Sequence, residues 1–355
     1  MEAEIRRRAA ADLPDITTPG PGMIVLKPGP SGRLPDTLTQ PLIFERQRLD
    51  PAIAFPDQPL KPLIRDITRV LLPRIRSDHP GGWTCHAFTV DTAEGATGSV
   101  RSRNLADHLV TFCQDRFPRV ARAYRPPEAA GHDTMVLNLC VTPATTWGAA
   151  MATRDLSDPR PGGIHRMAFD RHAPSRSYLK VEEALDLLDI EPQPGQTVVD
   201  LGAAPGGWTY AFVKRGCRVT AVDNGQLRLD STGDRGGTVD HHRQDGTLYT
   251  PPAAAVPVDW LISDMLISTG TNLWVLKKWF THRWMRRFIV NIKLPQEHPD
   301  PVLEPIESFL KDVPGIRFTI RHLYHDRREV TLFGCLACGG RSSNDAASGL
   351  RPVAE

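Results

Sequence analysis

The chain has 355 residues, long enough for about two domains with cores of their own. With 40% apolar and 24% charged residues it has the composition of a soluble globular protein, and no apolar run approaches the ~20 residues of a membrane helix. A net charge of +2, from 43 basic and 41 acidic residues, excludes a globally cationic nucleic-acid binder and leaves only local basic patches for that purpose.

Arg6, Arg7 and Arg8 are followed by no apolar stretch, so no secretory leader is expected. The six cysteines, at 85, 113, 140, 217, 335 and 338, are scattered, which points to a reducing cytoplasm rather than a disulfide scaffold. Cys335 and Cys338 form a C-x-x-C, but no second pair completes a zinc site, so a packed strand end is expected and no metal.

Residues 1–40 hold Pro14, Pro19, Pro21, Pro28, Pro30 and Pro35 and read as a mostly irregular arm with one short strand over 23–26. Residues 41–150 read as a small α+β domain. A strand is expected over 41–47, then a helix over 60–75 with Leu63, Ile64, Ile67, Val70 and Leu71 on one face. A strand over 83–90 follows, then a helix over 104–117 capped by Asn104, then a strand over 135–141. That β-α-β-α-β order suggests a ferredoxin-like unit. Residues 151–172, with Pro159, Pro161, Gly162 and Gly163, read as a linker. Ser175 or Ser177 can cap a helix running to Leu188, with Lys180 on the border of its apolar face.

A domain over 173–337 opens its sheet at Val198-Val199-Asp200-Leu201-Gly202-Ala203-Ala204-Pro205-Gly206-Gly207-Trp208. A β-branched run delivers the backbone to a bend of small residues, and a helix begins at Trp208. This is the first βα turn of a doubly wound sheet, where a flat ligand can lie against the backbone. The next strand, 218–222, ends at Asp223, which lies 21 residues after Gly202, the offset of a ribose-binding carboxylate. The corner lacks the regular G-x-G-x-x-G of dinucleotide folds. The third strand is not evident. Asp245 lies in the right stretch for a loop contacting an adenine ring, or is simply a turn residue. A buried strand over 258–263 ends at Asp264. A helix is expected over 273–287, and a strand over 288–292 ending at Lys293. Strands over 316–323 and 329–333 are joined by the turn His325-Asp326-Arg327-Arg328. The tail, 338–355, is small and polar and expected to be disordered.

Asp264 and Lys293 each stand just past the carboxyl end of a strand, where ligands bind in open α/β sheets. Strand-end solvation alone would explain either one. With Lys180 and Glu329 they form a Lys-Asp-Lys-Glu series in chain order. That series, and the D-x-G-x-x-P-G-G-W corner, resemble the FtsJ-like RNA 2′-O-ribose methyltransferases. Pro174-Ser175-Arg176-Ser177, Val222-Asp223-Asn224-Gly225, Asn291-x-Lys293-Leu294-Pro295 and the stretch 323–331 narrow the likeness to the bacterial large-subunit rRNA ribose methyltransferase M family. The resemblance covers roughly 41–337. The α+β domain resembles that family's THUMP region in layout, while the front departs from it, being too short and Pro-rich for the family's folded N-terminal domain.

The resemblance implies a Rossmann-like S-adenosyl-L-methionine methyltransferase sheet behind an RNA-binding α+β domain. It implies 2′-O-methylation of RNA, at a cytidine of 23S rRNA, in the cytoplasm and without metal; the oligomeric state stays open, a monomer being favoured. Lys180, Asp264, Lys293 and Glu329 would be catalytic. Lys293 would be the base, kept partly neutral by Lys180 and the sulfonium, or would act electrostatically on the developing alkoxide. Ser177, Gly202, Ala204, Pro205, Gly206, Gly207, Trp208, Asp223, Asp245 and Asp264 would hold the cofactor. Arg176, Arg327 and Arg328 would hold RNA phosphates. A tRNA or other rRNA site, or a ribosome-assembly factor without turnover, remain the alternatives. The Trp- and Lys/Arg-rich segment 274–287 could stack bases, although packing on the sheet is the simpler reading.

Overall fold

The computed structural model describes residues 1–9, 12–29, 31–75, 80–229, 236–295 and 301–336, arranged as two compact units, 1–164 and 165 onward. The expected tail at 338–355, and Cys338 with it, lies outside the described residues.

In the first unit, residues 1–40 are not an irregular arm. Helix α1 (Glu2–Ala9) is followed by a hairpin of β1 (Asp15–Gly20) and β2 (Met23–Lys27), turned by Pro21 and Gly22 at φ 73°. Ile5, Ala9, Leu38 and Leu42 form a small core with Ile16, Ile24 and Leu26 against it. Glu4 is fully buried, and its carboxylate accepts from Ile43 N at 2.7 Å and pairs with Arg8. That clasp also corrects the strand expected over 41–47. The amides of Ile43 and Phe44 turn to Glu4, so they have none to offer a neighbouring strand.

The α+β sheet begins instead at β3 (Ile53–Pro56). Then come α2 (Leu60–Leu71), β4 (Trp83–Thr89), α3 (Ala93–Ala96), α4 (Ser99–Arg116), α5 (Pro118–Arg122), β5 (Met135–Val141) and β6 (Thr145–Ala152). Helix α4 starts a turn and a half earlier than expected. Asn104 lies inside it rather than capping it, because buried Ser102 extends the stripe of Leu105, Leu109 and Cys113. The sheet order is β3-β6-β5-β4, with β4 and β5 parallel. The main elements therefore run β-α-β-α-β-β, not the β-α-β-β-α-β of a ferredoxin-like unit. Strand β6 hides in the sequence because it is rich in Gly and Ala. Gly148 has to be small, since a Cβ there would meet Leu71 Cδ1 at 2.7 Å. The expected linker, 151–172, begins within the end of β6, is crossed by the boundary between the units and beyond β6 carries only short 3-10 turns.

The second unit contains α6 (Tyr178–Leu188), β7 (Thr197–Leu201), α7 (Gly207–Val213), β8 (Arg218–Val222), β9 (Thr238–His242) and β10 (Val258–Ser263). These are followed by α8 (Thr269–Thr281), β11 (Met285–Lys293), α9 (Glu304–Lys311), β12 (Ile316–Arg321) and β13 (Glu329–Leu336). Seven strands lie in the order β12-β13-β11-β10-β7-β8-β9, and only β13 runs against its neighbours. The strand direction of travel reverses at β7/β10, which makes the carboxyl ends there the crevice of a doubly wound sheet. Tyr178, Val181, Ala184 and Leu185 of α6 and Ala211 and Phe212 of α7 pack on one face of this sheet.

The helix expected over 273–287 is displaced. Ser268 caps α8 by accepting from Thr271 N, and Arg283, at φ 49°, ends the connection so that 285–287 already belong to β11. Trp279 and Phe280 are buried, as the packing reading of that segment requires, whereas Trp274 is exposed. Cys335 lies in β13 as a half-buried free thiol. Among the described residues no helix is long and apolar enough to cross a membrane, and no His, Cys, Asp and Glu side chains group to hold a metal.

Candidate active site

A cavity of about 630 Å³ opens at the carboxyl ends of the central strands. After β7 it is lined by Gly202, Ala203, Ala204, Pro205, Gly207 and Trp208. After β8 it meets Asp223 and Asn224, after β9 Gln244 to Thr247, and after β10 Asp264 to Ile267. Lys293 closes it from β11, and Ser175 and Ser177 from the entry to α6. Every residue expected at the cofactor is in this wall except Gly206, which backs the corner at φ 114°, where a Cβ would meet Leu229 Cδ1 at 2.7 Å.

The corner is small for a reason. Gly202 sits at φ 79°, and a Cβ on it would come within 2.6 Å of Met265 Cγ. A Cβ on Gly207 would overlap both Ser175 Oγ and Ser177 Oγ, and those hydroxyls lie 2.7 Å apart. Neither serine caps α6 through its side chain, because the two hydroxyls pair with each other over the start of α7. Asp223 braces the corner from the other side, its carboxylate accepting from Ala204 N at 3.0 Å and Gly225 N at 2.6 Å. Asp245 Oδ1 accepts from both Thr247 N and Thr247 Oγ1 at 2.8 Å, so the turn role is real, and the residue also faces the cavity.

Lys180, Asp264, Lys293 and Glu329 converge, although the chain separates them widely. The strand register does much of this, since Lys293 of β11 lies directly across from Glu329 of β13. Asp264 is the residue after β10, two strands away from β13, and Lys180 lies in the first turn of α6. Lys293 Nζ donates to Asp264 Oδ1 and Glu329 Oε2, each at 2.6 Å. Lys180 Nζ lies 3.5 Å from Asp264 Oδ2 and bonds Glu329 Oε1 more closely. The four side chains are only 9–22% exposed. Burial raises the Glu329 carboxyl, but the two ammonium groups outweigh it and hold the carboxyl below its ordinary value. Burial likewise lowers Lys293, but the Asp264 and Glu329 carboxylates outweigh it and hold the amine above its ordinary value. Its two carboxylate partners therefore favour the ammonium form of Lys293.

Three further acids matter that the sequence reading did not assign. Glu183, one turn after Lys180 on α6 and 2% exposed, accepts from the backbone of Tyr324 at 2.7 Å and His325 at 3.1 Å. It ties the β12–β13 turn to the helix that carries Lys180. Asp326 in that turn is buried and accepts from Leu323 N and Thr331 Oγ1, and burial pushes its carboxyl up to about 8. Asp200 on β7 accepts from Thr209 Oγ1 at 2.6 Å, and burial pushes it up to about 7. The D-x-G spacing carried a signal for Asp200. For Glu183, the signal was an acid beside Ala184 and Leu185 of the apolar face of α6.

Fold and site together define an FtsJ-like methyltransferase, and the family model described in those words matches residues 173–294. The glycine corner, the paired serine hydroxyls and the carboxylates of Asp223 and Asp245 suit S-adenosyl-L-methionine, the cofactor of such a domain. The ribosomal RNA large subunit methyltransferase M of Alkalilimnicola ehrlichii is 31% identical over 306 residues, which is 84% of this chain and 80% of that protein. The chain belongs to that family. The protein of the same name from Marinomonas sp. is 42% identical over 185 residues, 48% of this chain and 51% of that one. The one from Azotobacter vinelandii is 40% identical over 200 residues, covering 52% and 54%. These last two matches span about half the length of the relatives.

Proposed function

We propose that the protein methylates a ribose 2′-hydroxyl of RNA from S-adenosyl-L-methionine, at a cytidine of large-subunit (23S) rRNA, as a cytoplasmic monomer. The observation that carries the reading is the convergence of two amines and two carboxylates, of which Asp264 and Lys293 line the cavity built at the glycine corner. Bound there, the cofactor supplies a methyl group activated by its sulfonium charge.

The backbone at Gly202, Ala204, Pro205 and Gly207, with Ser177, holds the methionine part. Asp223 keeps lone pairs free for ribose hydroxyls, and Asp245 Oδ2 faces an adenine amine. Lys293 is assigned to the attacking oxygen. As an ammonium fixed between two carboxylates it stabilises the charge that develops on that oxygen. A further positive charge beside it lowers its pKa and favours the base role. Asp264 and Glu329 orient both amines, and Lys180 balances their charge. Arg176, Arg327 and Arg328 are exposed around this set and hold phosphates. The first unit serves as the THUMP-type RNA-binding domain. A hydroxyl as acceptor selects RNA over DNA.

Transfer of tritiated methyl groups to transcribed 23S rRNA, with DNA as control, tests the reading. Lys293→Ala should abolish transfer while S-adenosyl-L-methionine binding survives in calorimetry. Near-normal transfer by that variant would refute the assignment. Mapping ribose methylation in a deletion strain separates 23S rRNA from tRNA as the target.

A further inference from the structure

At the entry to α6, the helix that carries Lys180, one aromatic ring stands in solvent on a rigid base. Phe169 is 47% exposed. Its neighbours in the chain are tied down. Tyr178 Oη accepts from Asp170 N at 2.6 Å and donates to Ala168 O at 3.2 Å, and Tyr210 Oη donates to Asp170 Oδ2 at 2.6 Å. The Phe169 ring is tilted against Tyr178 at 6.3 Å between centroids, and the Arg176 guanidinium lies over it at 5.9 Å. Arg176 lies two residues before α6, whose first turn holds Lys180. The turn that holds Arg327 and Arg328 is fastened to the same region, because His325 Nε2 bonds His165 O at 2.9 Å and Glu183 holds Tyr324 N.

Arg166, Arg171, Arg176, Arg327 and Arg328 are all exposed, and among the described residues none of them pairs with a carboxylate. Asp170, the acid between them, is already occupied by Tyr210 Oη and His172 N. A half-exposed ring under one guanidinium group and flanked in the chain by Arg166 and Arg171 matches a ligand that has both π faces and a chain of anions. Single-stranded RNA has both.

We propose that Phe169 stacks on an unpaired nucleobase of the RNA substrate beside the methylated nucleotide, with Arg176 and its neighbours on the adjoining phosphates. The assignment rests on the reading of the site as an RNA methyltransferase and adds to it the residue that grips a flanking base. Because the ring is exposed and its backbone is fixed by other residues, Phe169→Ala should fold as the parent does.

The test measures binding of transcribed 23S rRNA directly, alongside methyl transfer. Phe169→Ala should weaken RNA binding and raise the KM for RNA by about 5- to 100-fold, with the affinity for S-adenosyl-L-methionine unchanged. Phe169→Leu, apolar but without a π face, should share the loss, and Phe169→Trp should recover the affinity. The salt dependence of binding should keep its slope in Phe169→Ala, whereas Arg327→Ala should lower it by about one. RNA affinity of Phe169→Ala or Phe169→Leu equal to wild type would overturn the proposal. So would a loss seen only on particles carrying ribosomal proteins and not on protein-free rRNA, since that assigns the ring to a protein. If the wild type binds RNA through Phe169 but transfers no methyl group, stacking stands and the catalytic reading falls.

Discussion

Replacing Glu183 by Ala should disturb the Lys180–Glu329 pair without removing either member. The Glu183 carboxylate is 2% exposed and accepts two consecutive amides, Tyr324 N at 2.7 Å and His325 N at 3.1 Å. Ala would strand both donors in the interior. A hydrogen bond to a charged group contributes about 1.5–3 kcal/mol, so the pair is worth about 3–6 kcal/mol where water does not replace it. In a domain of this size the melting temperature falls about 2–4 °C per kcal/mol, which gives a drop of about 6–24 °C. Glu329 lies four residues past His325, so release of the turn shifts that carboxylate relative to Lys180 on α6. A displacement of about 1 Å costs on the order of 100-fold in rate. Glu183→Gln keeps one acceptor and presents an N–H to the second amide, so it should fall between. Calorimetry, with methyl transfer measured well below the variant's melting temperature, reads both effects. An unchanged melting temperature would show that the clasp does not hold the turn. A lowered melting temperature with an unchanged kcat would show that the turn does not position Glu329.

Asp326, pushed up to about 8 by burial, keeps its proton in the folded chain after the unfolded chain has lost it. Its contribution to stability therefore falls as pH rises from about 4 towards 8, by about 1.4 kcal/mol per pH unit, and Asp326→Asn should flatten that decline. Urea unfolding at pH 5 and pH 8 reads the difference, and an identical pH dependence in the variant would refute it. Gly202→Ala should cost about 1–2 kcal/mol for its left-handed backbone and push Met265 into the cavity, weakening S-adenosyl-L-methionine binding in calorimetry. Unchanged binding would show that Met265 yields elsewhere.

The catalytic half was legible because its signals are local. A β-branched run, a bend of small residues and an acid at each strand end fall within a few residues of one another, and those strands lie where the pattern puts them. The front half was misread where long-range pairing decides. Pro21 looks like a breaker but turns a hairpin, and Glu4, in a segment expected to be irregular, is buried against Ile43. Ile43 and Phe44 have the residue types of a strand, yet their amides are taken by a carboxylate from the other end of the segment. Strand β6 was missed because Gly148 and its alanines owe their place to the neighbours they fit under, and a one-dimensional pattern does not record those. At the site, Asp264 and Lys293 stand out at the ends of strands, and the family resemblance joined Lys180 and Glu329 to them. The acids that position them, Glu183 and Asp326, act through backbone amides of a turn, and that leaves no spacing to recognise.

Those supporting acids also explain how four charges are tolerated at 9–22% exposure. Each lysine touches both carboxylates, so the set is neutral and every charge has an opposite neighbour. The opposite shifts of Lys293 and Glu329 are two signs of that one pairing. Removing any one member leaves an uncompensated charge for the other three, so losses at the four positions cannot add, and a single variant reports the failure of the set rather than the share of one residue. A third ionised carboxylate would break the balance. Asp326 lies just behind Glu329, whose charge reinforces the effect of burial against the pull of Lys180, and at neutral pH it stays protonated. The turn is thus anchored by an acid that adds no charge to the site, and Asp264 and Glu329 orient the two ammonium groups.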